Sequence, residues 1–304
     1  MINNAIVKLV PHLPPKLVAK VAGRYIAGDT AAEALALAAR LKEGGFGSTL
    51  DILGEDTLTR TQGEDAADDY IHLMKGMTHV NVSRNVSLKL TQLGLKLSQP
   101  VAVDNLNAIL AIARETDTFV RIDMEHAGLT DVTLDIFEAA TRVWPRVGTV
   151  LQARLKRTAE DARRLTGANI RLCKGAYRES PQISYRRKRD IRRSFMRTFR
   201  ILMSREAYVG VATHDLRLIN LVRREVERSR IPKDRLEFQS LLGVPIRSTL
   251  DRLKREGYEV RLYVPFGGAS LAYSLRRLEE NPGLAFAIAK SVFKRDRIDA
   301  SKML

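Results

Sequence analysis

The chain has a single cysteine among 304 residues, Cys173, which excludes an intramolecular disulfide and fits a reducing cytoplasm. No apolar run approaches the ~20 residues needed to span a bilayer. The longest candidate, AAEALALAAR from Ala31 to Arg40, is too short. The five histidines are scattered and Cys173 stands alone, so no metal-ligand spacing occurs. No serine or cysteine elbow is found, so covalent hydrolysis is poorly supported. Low-complexity tracts and Pro/Gly/Ser-rich linkers are missing, so no domain boundary is placed after residue 44. The segment Met1–Gly28 has no acidic residue, which is part of a transit-peptide signature, yet it also has no serine and only one arginine. A helical arm over residues 1–44, followed by a catalytic domain over 45–304, accounts for the same residues.

Basic charge is abundant. Lysine and arginine number 51 against 35 acidic residues, a formal charge of +16. Such an excess suits nucleic acid, an anionic membrane surface or an acidic substrate. Much of it lies in YRRKRDIRRSFMRTFR, Tyr185–Arg200, where Ile191, Phe195, Phe199 and, just beyond, Leu202 recur at spacings of three and four. That pattern is an amphipathic helix with a basic outer face. Few aromatics interleave with its arginines, so no base-stacking platform forms, and no zinc, helix-turn-helix or RNA-binding signature appears. Nucleic acid is not an expected partner.

Short apolar strands alternate with longer helical patterns. The strand candidates are Phe46–Leu53, the His79–Leu90 region, Phe119–Glu125, Val147–Leu155, NIRLCKGA from Asn169, Tyr208–Asp215, Leu236–Gly243 and Val260–Gly267. Helical stretches such as LDIFEAATRVW, DLRLINLVRREVERSR and IRSTLDRLKREG lie between them. This rhythm predicts parallel strands with right-handed crossovers, and eight strands fit an α/β fold of the TIM-like (βα)8 barrel type, usually about 250 residues long. A doubly wound open sheet would favour G-x-G-x-x-G after its first strand, where LGEDT stands instead.

Near its C-terminal end each later strand carries a polar or ionisable side chain: Lys89, Asp123, Gln152, Arg171 with Lys174, His214, Gln239 and Tyr263. In a barrel these ends converge on the face that carries active sites. Arg171 and Lys174, with Arg276 and Arg277 in SLAYSLRRLEEN, set four cations against one obvious strand-end carboxylate, Asp123. That surplus suits an anionic ligand. Gly175 lets the main chain approach a flat or bulky group. The residues alone thus indicate a barrel enzyme for an anionic substrate. A barrel acting on a phosphate ester, or a basic surface-binding barrel without a cofactor, stays open at this point.

The runs RLCKGAY, ATHD, EFQSLLG and YVPFG followed by AYSLRRLEEN, together with GRYIAG near the start, resemble the flavin-dependent proline dehydrogenases of the short monofunctional bacterial type. The likeness runs from about Val10 to Pro282, and Arg171–Tyr177 and Tyr263–Arg277 are its most specific parts. It implies an enzyme with a distorted (βα)8 barrel that binds FAD, oxidises L-proline to Δ1-pyrroline-5-carboxylate by hydride loss from C5, and passes electrons to a quinone. Carried over residue by residue, Lys89, Asp123, Tyr177, Leu241 and Tyr263 would surround the ring, and Arg276 and Arg277 would clamp its carboxylate. Arg171 would lie beside the flavin N5 edge, with Asp123 and Arg171 as the catalytic pair. Met124, Gln152, Lys174, Gly175, Ala176, Thr213, His214 and Gln239 would line the cofactor site. Glu55, in LGED, would pair with Arg276 and close the site.

The resemblance also implies a pyrroline-5-carboxylate dehydrogenase as pathway neighbour, and a cytoplasmic enzyme that touches the inner face of the membrane to reach its quinone. Arg154 stands where the family commonly has tyrosine, Cys173 where valine is more frequent, and GGASLAY replaces an aromatic near Ser270. A tyrosine at 263 should disfavour a hydroxylated ring, which makes 4-hydroxyproline the alternative substrate.

Overall fold

The computed structural model describes residues 25–268. The expected arm before residue 25 and the segment that holds Arg276 and Arg277 lie outside the described residues. Helix α1 (Ala31–Glu43) opens with a capping box in which Thr30 accepts from the Glu33 amide. The Glu33 carboxylate returns the bond to the Thr30 amide at 3.0 Å. Ala34, Leu37, Ala38 and Leu41 form its buried face, packed on the strands that follow.

Those strands are β1 (Gly47–Ile52), β2 (Asn85–Leu88), β3 (Phe119–Ile122), β4 (Val147–Gln152), β5 (Asn169–Cys173), β6 (Tyr208–Ala212), β7 (Leu236–Leu241) and β8 (Glu259–Phe266). All neighbouring pairs are parallel and β1 pairs with β8, so the sheet closes into a barrel. The helices between them are α2 (Arg60–Met77), α3 (Gln99–Glu115), α4 (Thr130–Val143), α5 (Thr158–Arg164), α6 (Lys188–Ser204), α7 (Leu216–Arg228) and α8 (Arg247–Arg255). The expected TIM-like barrel is borne out. The second strand is shorter than its sequence run, because the chain turns at Val80–Ser83 before pairing begins at Asn85.

Side chains along a strand alternate between faces with period two. One parity is apolar and faces the helices: Leu50, Val86, Leu88, Val120, Ile122, Ile170, Leu172, Val209, Val211, Phe238 and Val264 are buried in one core with helix residues such as Leu73, Leu110, Phe195 and Phe199. Each such side chain contributes about 1.5–3 kcal/mol on burial. The other parity points into the barrel and is largely polar. Thr49, Asn85, Ser87, Arg121, Arg171, Glu237 and Gln239 are all buried. The usual barrel interior is Val, Ile and Leu; here cross-barrel hydrogen bonds replace that packing. Thr49 donates to Asn85 at 2.8 Å, and Arg171 on β5 reaches Ser87 on β2 at 3.0 Å.

Room for these long polar chains comes from a missing side chain. A Cβ on Gly148 of β4 would meet the Asn169 carbonyl oxygen at 2.6 Å and the Arg121 guanidinium. The basic helix expected from Tyr185 is α6, and Ile191, Phe195, Phe199 and Leu202 form its buried face as the periodicity requires.

Candidate active site

At the C-terminal mouth the interior network is densest. Arg171 donates Nη1 to Asp123 Oδ1 at 2.6 Å and to Ser87 Oγ at 3.0 Å, and Nε to Gln239 Oε1 at 2.7 Å. Its guanidinium carbon lies 5.1 Å from the centre of the Tyr263 ring, a cation–π contact. Asp123 also accepts from Ser87 Oγ at 2.9 Å and, on Oδ2, from Tyr263 Oη at 3.1 Å. Three donors therefore converge on one carboxylate, and an arginine, a serine, a tyrosine and a glutamine from four other strands fix its surroundings.

Beside this group Lys89 Nζ lies 3.2 Å from Asp51 Oδ1. Burial alone would depress the Lys89 ammonium, but the Asp51 and Asp123 charges more than offset it and leave its pKa raised. Burial pushes the Asp51 carboxyl up, against the pull of Lys89. The second Asp51 oxygen, Oδ2, is buried with no partner in hydrogen-bonding geometry among the described residues. Behind the pair, Tyr70 of α2 donates to the Ser87 carbonyl at 2.8 Å and accepts from the Ile52 amide at 3.3 Å, which ties β1 to β2 below the mouth.

A second cluster follows β5. Lys174 approaches Asp215 at 3.5 Å, and Arg192 of α6 holds the same oxygen at 2.7 Å. Asp215 also caps α7 by accepting from the Arg217 and Leu218 amides, so one carboxylate sets both a helix start and a lysine. Gly175 has φ +96, and a Cβ there would meet Gln152 Oε1 at 3.0 Å and Arg154 Cβ at 3.3 Å. What it accommodates within the chain is thus the Gln152–Arg154 wall, in a left-handed conformation that favours glycine. Gln152 donates to the Glu125 carbonyl at 2.8 Å. Thr213 is buried, and His214 Nε2 accepts from the Leu241 amide at 3.1 Å, which places the proton of a neutral ring on Nδ1.

The expected positions therefore gather at one end of the barrel. Lys89, Asp123, Arg171 and Tyr263 meet directly or through Ser87 and Asp51. Leu241 stands in register with Tyr263. Met124 is buried directly after Asp123, and Ala176 is exposed in the loop after Gly175. The carbonyl of Tyr177, in the same loop, accepts from Arg154 at 3.2 Å, so the arginine that departs from the family pattern anchors this loop. Glu55 lies in the loop after β1, on the same rim.

Gln239 sits deeper than expected. Its oxygen takes Arg171 and its nitrogen donates to Glu237 at 2.6 Å, inside the barrel and one layer below the rim. Cys173 is a neutral thiol at ordinary pH, since burial pushes it up to about 11.

One expectation needs correction. Of the four cations set against Asp123, Arg171 pairs with Asp123 itself and Lys174 with a second carboxylate, Asp215, so neither described cation is in surplus, while Arg276 and Arg277 lie outside the described residues. An uncompensated buried charge is strongly destabilising, so partners accompany the cations. Asp51, Ser87, Asp215 and Glu237 were missed by sequence reasoning. Asp51 carried the same signal as the others, an ionisable residue near the end of a strand, but within the apolar-looking STLDIL of the first one.

The family model described as "Proline dehydrogenase" matches residues 34–287. The chain belongs to the proline dehydrogenase family. It is similar to "Proline dehydrogenase 1" of Bacillus subtilis (strain 168), with 35% identity over 90% of this chain and 91% of that one. "Proline dehydrogenase" of Deinococcus radiodurans is 34% identical, with 90% of each chain covered. Among solved structures it is similar to proline utilization A (PutA) from Bdellovibrio bacteriovorus inactivated by N-propargylglycine, with a TM-score of 0.79 and 27% identity over 87% of this chain and 33% of that chain. The match spans most of the Bacillus and Deinococcus proteins and a third of the PutA chain, so the resemblance to the short type is borne out. Family membership makes the protein an oxidoreductase.

Proposed function

We propose that the protein oxidises L-proline to Δ1-pyrroline-5-carboxylate, using FAD and passing electrons to a quinone. The observation that carries this reading is the oriented Arg171, held by Asp123, Ser87 and Gln239 over Tyr263, in a chain of the proline dehydrogenase family. The donor set fits a group with an anionic pyrophosphate and a flat ring. Lys174 is 39% exposed at the rim. Arg154 Nε is buried with no hydrogen-bond partner among the described residues, and Gly175 leaves the main chain bare beside Gln152. Gln152, Thr213, His214, Ala176 and Met124 complete the cradle, with Gln239 behind it. FAD, when bound, supplies the two-electron acceptor.

The chain's own residues do the rest. Arg171 presents a fixed cation where negative charge develops, an electrostatic effect that needs no rearrangement during reaction. Tyr263, Leu241, Tyr177 and Lys89 pack around the substrate ring, and Arg276 with Arg277 hold its carboxylate. That orientation presents C5 for hydride loss, and Glu55 closes the loop over it. Asp123 acts as the counter-charge that anchors Arg171. Three donors hold it in that role, and the ring amine loses its proton to solvent.

Purified protein should be yellow, and anaerobic L-proline should bleach its visible band. Colourless folded protein, or a band indifferent to proline, overturns the reading. The Tyr263 contact predicts slower bleaching by 4-hydroxyproline, and faster bleaching would transfer the assignment to that substrate.

The quinone reading extends to a surface. Arg189, Arg193 and Arg197 recur every four residues on α6 and are exposed, next to exposed Arg187, and no helix among the described residues is long and apolar enough to cross a membrane. We assign this stripe to contact with an anionic leaflet, where each basic residue near the surface contributes about 1 kcal/mol. Reversing these four arginines to glutamate should abolish co-sedimentation with phosphatidylserine vesicles and leave dye-coupled turnover unchanged. Undiminished sedimentation sinks the assignment.

A further inference from the structure

The end of the barrel opposite the mouth carries its own charged cavity, of about 260 Å³, between the N-terminal ends of the strands. Four guanidinium groups line it, those of Arg84, Arg121, Arg146 and Arg261, together with one carboxylate, Glu237, and the amide of Asn169. Glu237 is taken by Arg261, whose Nε lies 2.9 Å from both its oxygens. Arg146 pairs with Asp117. Among the described residues the other two cations have no carboxylate within ion-pair distance. Arg84 donates to the Thr116 carbonyl at 2.9 Å. Arg121 donates to the carbonyls of Thr149 and Asn169 at 3.0 and 2.8 Å and to Asn169 Oδ1 at 2.6 Å.

Arg121 is the decisive residue. It is 1% exposed, and its Nε is buried with no hydrogen-bond partner among the described residues. Burial, with Arg171 adding repulsion, presses this guanidinium down to about 9 against the pull of Glu237 and Asp123. Arginine stays protonated in proteins, so the shift marks a buried cation whose desolvation the nearby Glu237 and Asp123 charges do not offset. A buried charge of this kind is tolerated when an ion of opposite sign completes it. The volume matches that need, because liquid water occupies about 30 Å³ per molecule, which leaves room for a tetrahedral oxyanion and several waters. Planar guanidinium forks suit such oxygens.

We propose that this N-terminal cavity binds one phosphate-type inorganic oxyanion, with Arg121 at its floor and Arg84 and Arg146 at its rim. The site stands apart from the mouth and does not depend on the proposed reaction. It is nonetheless connected to it: Glu237 bonds Gln239, and Gln239 bonds Arg171.

Calorimetric titration of the full chain with inorganic phosphate, at constant ionic strength held with chloride, tests this. One saturable site per chain is expected. Arg84→Gln combined with Arg146→Gln, both exposed positions, should weaken binding by about tenfold or more, the loss of at least one charge-assisted pair. The same double variant should keep the parent circular dichroism spectrum. Arg121→Met should abolish binding, and the rim pair preserves the test if that variant does not fold. Lys174→Gln, at the opposite mouth, should leave the isotherm unchanged. The proposal is overturned by the absence of saturation up to about 10 mM phosphate, by unaltered binding in the rim variant, or by loss of binding in Lys174→Gln.

Discussion

Replacing Arg171 by methionine is expected to lower kcat/KM for L-proline by about a thousandfold, the scale of losing one preorganised charge at a reacting centre. Methionine keeps much of the volume and removes every donor. Asp123 Oδ1 would keep only Ser87, and the Gln239 oxygen would lose its arginine donor. Each buried polar group left unsatisfied costs about 1–3 kcal/mol, so stability should fall as well. Arg171→Lys separates the two effects: the charge stays, but one ammonium cannot span Asp123, Ser87 and Gln239 as the fork does. Its activity should lie between wild type and Arg171→Met. The loss in both variants should appear in kcat with little change in KM, the signature of an interaction made in the transition state. A raised KM with unchanged kcat would reassign Arg171 to substrate binding.

Gly148→Ala should destabilise the fold by about 3 kcal/mol, at the upper end of overpacking effects, and shift the urea midpoint accordingly. Its backbone is not in the left-handed region, so the effect is steric. The added carbon would lie 2.6 Å from the Asn169 carbonyl oxygen and 2.7 Å from Phe119 Cζ, and would collide with Arg121 Nη1. A free arginine end would swing aside. This one is pinned by three acceptors and lies 4.8 Å over the Phe119 ring. Gly167→Ala is the contrast: nothing lies within 4 Å of its Cβ, and only φ +67 opposes it. That strain amounts to about 1 kcal/mol. Equal losses at both positions would refute the steric account.

The barrel was legible because a strand–helix alternation is a local pattern repeated, and each apolar strand parity needs a helix to cover it. Helix α6 could be read for the same reason, since Ile191, Phe195, Phe199 and Leu202 define one face by spacing alone. Cap residues such as Asp215 were less visible, because the ATHD run was read for its histidine and not for the carboxylate that starts α7 and holds Lys174.

The charge balance of the mouth could not be read at all. Asp51 and Lys89 are 38 positions apart and Asp123 and Arg171 are 48 apart, and nothing along the chain marks one as the partner of the other.

Periodicity and turn chemistry act over a few residues, so the amino-acid order by itself determined the barrel, its helices and the rim to which the polar strand ends run. Closure of β1 on β8 decided the rest. Only when the sheet curls into a barrel do polar side chains of different strands and their rim loops come within 2.6 to 3.5 Å of each other. That contact sets which cations form ion pairs, as at Lys89, Arg171 and Lys174, and which form none among the described residues, as at Arg121. Coulomb energy depends on separation in space, and separation along the chain does not supply it.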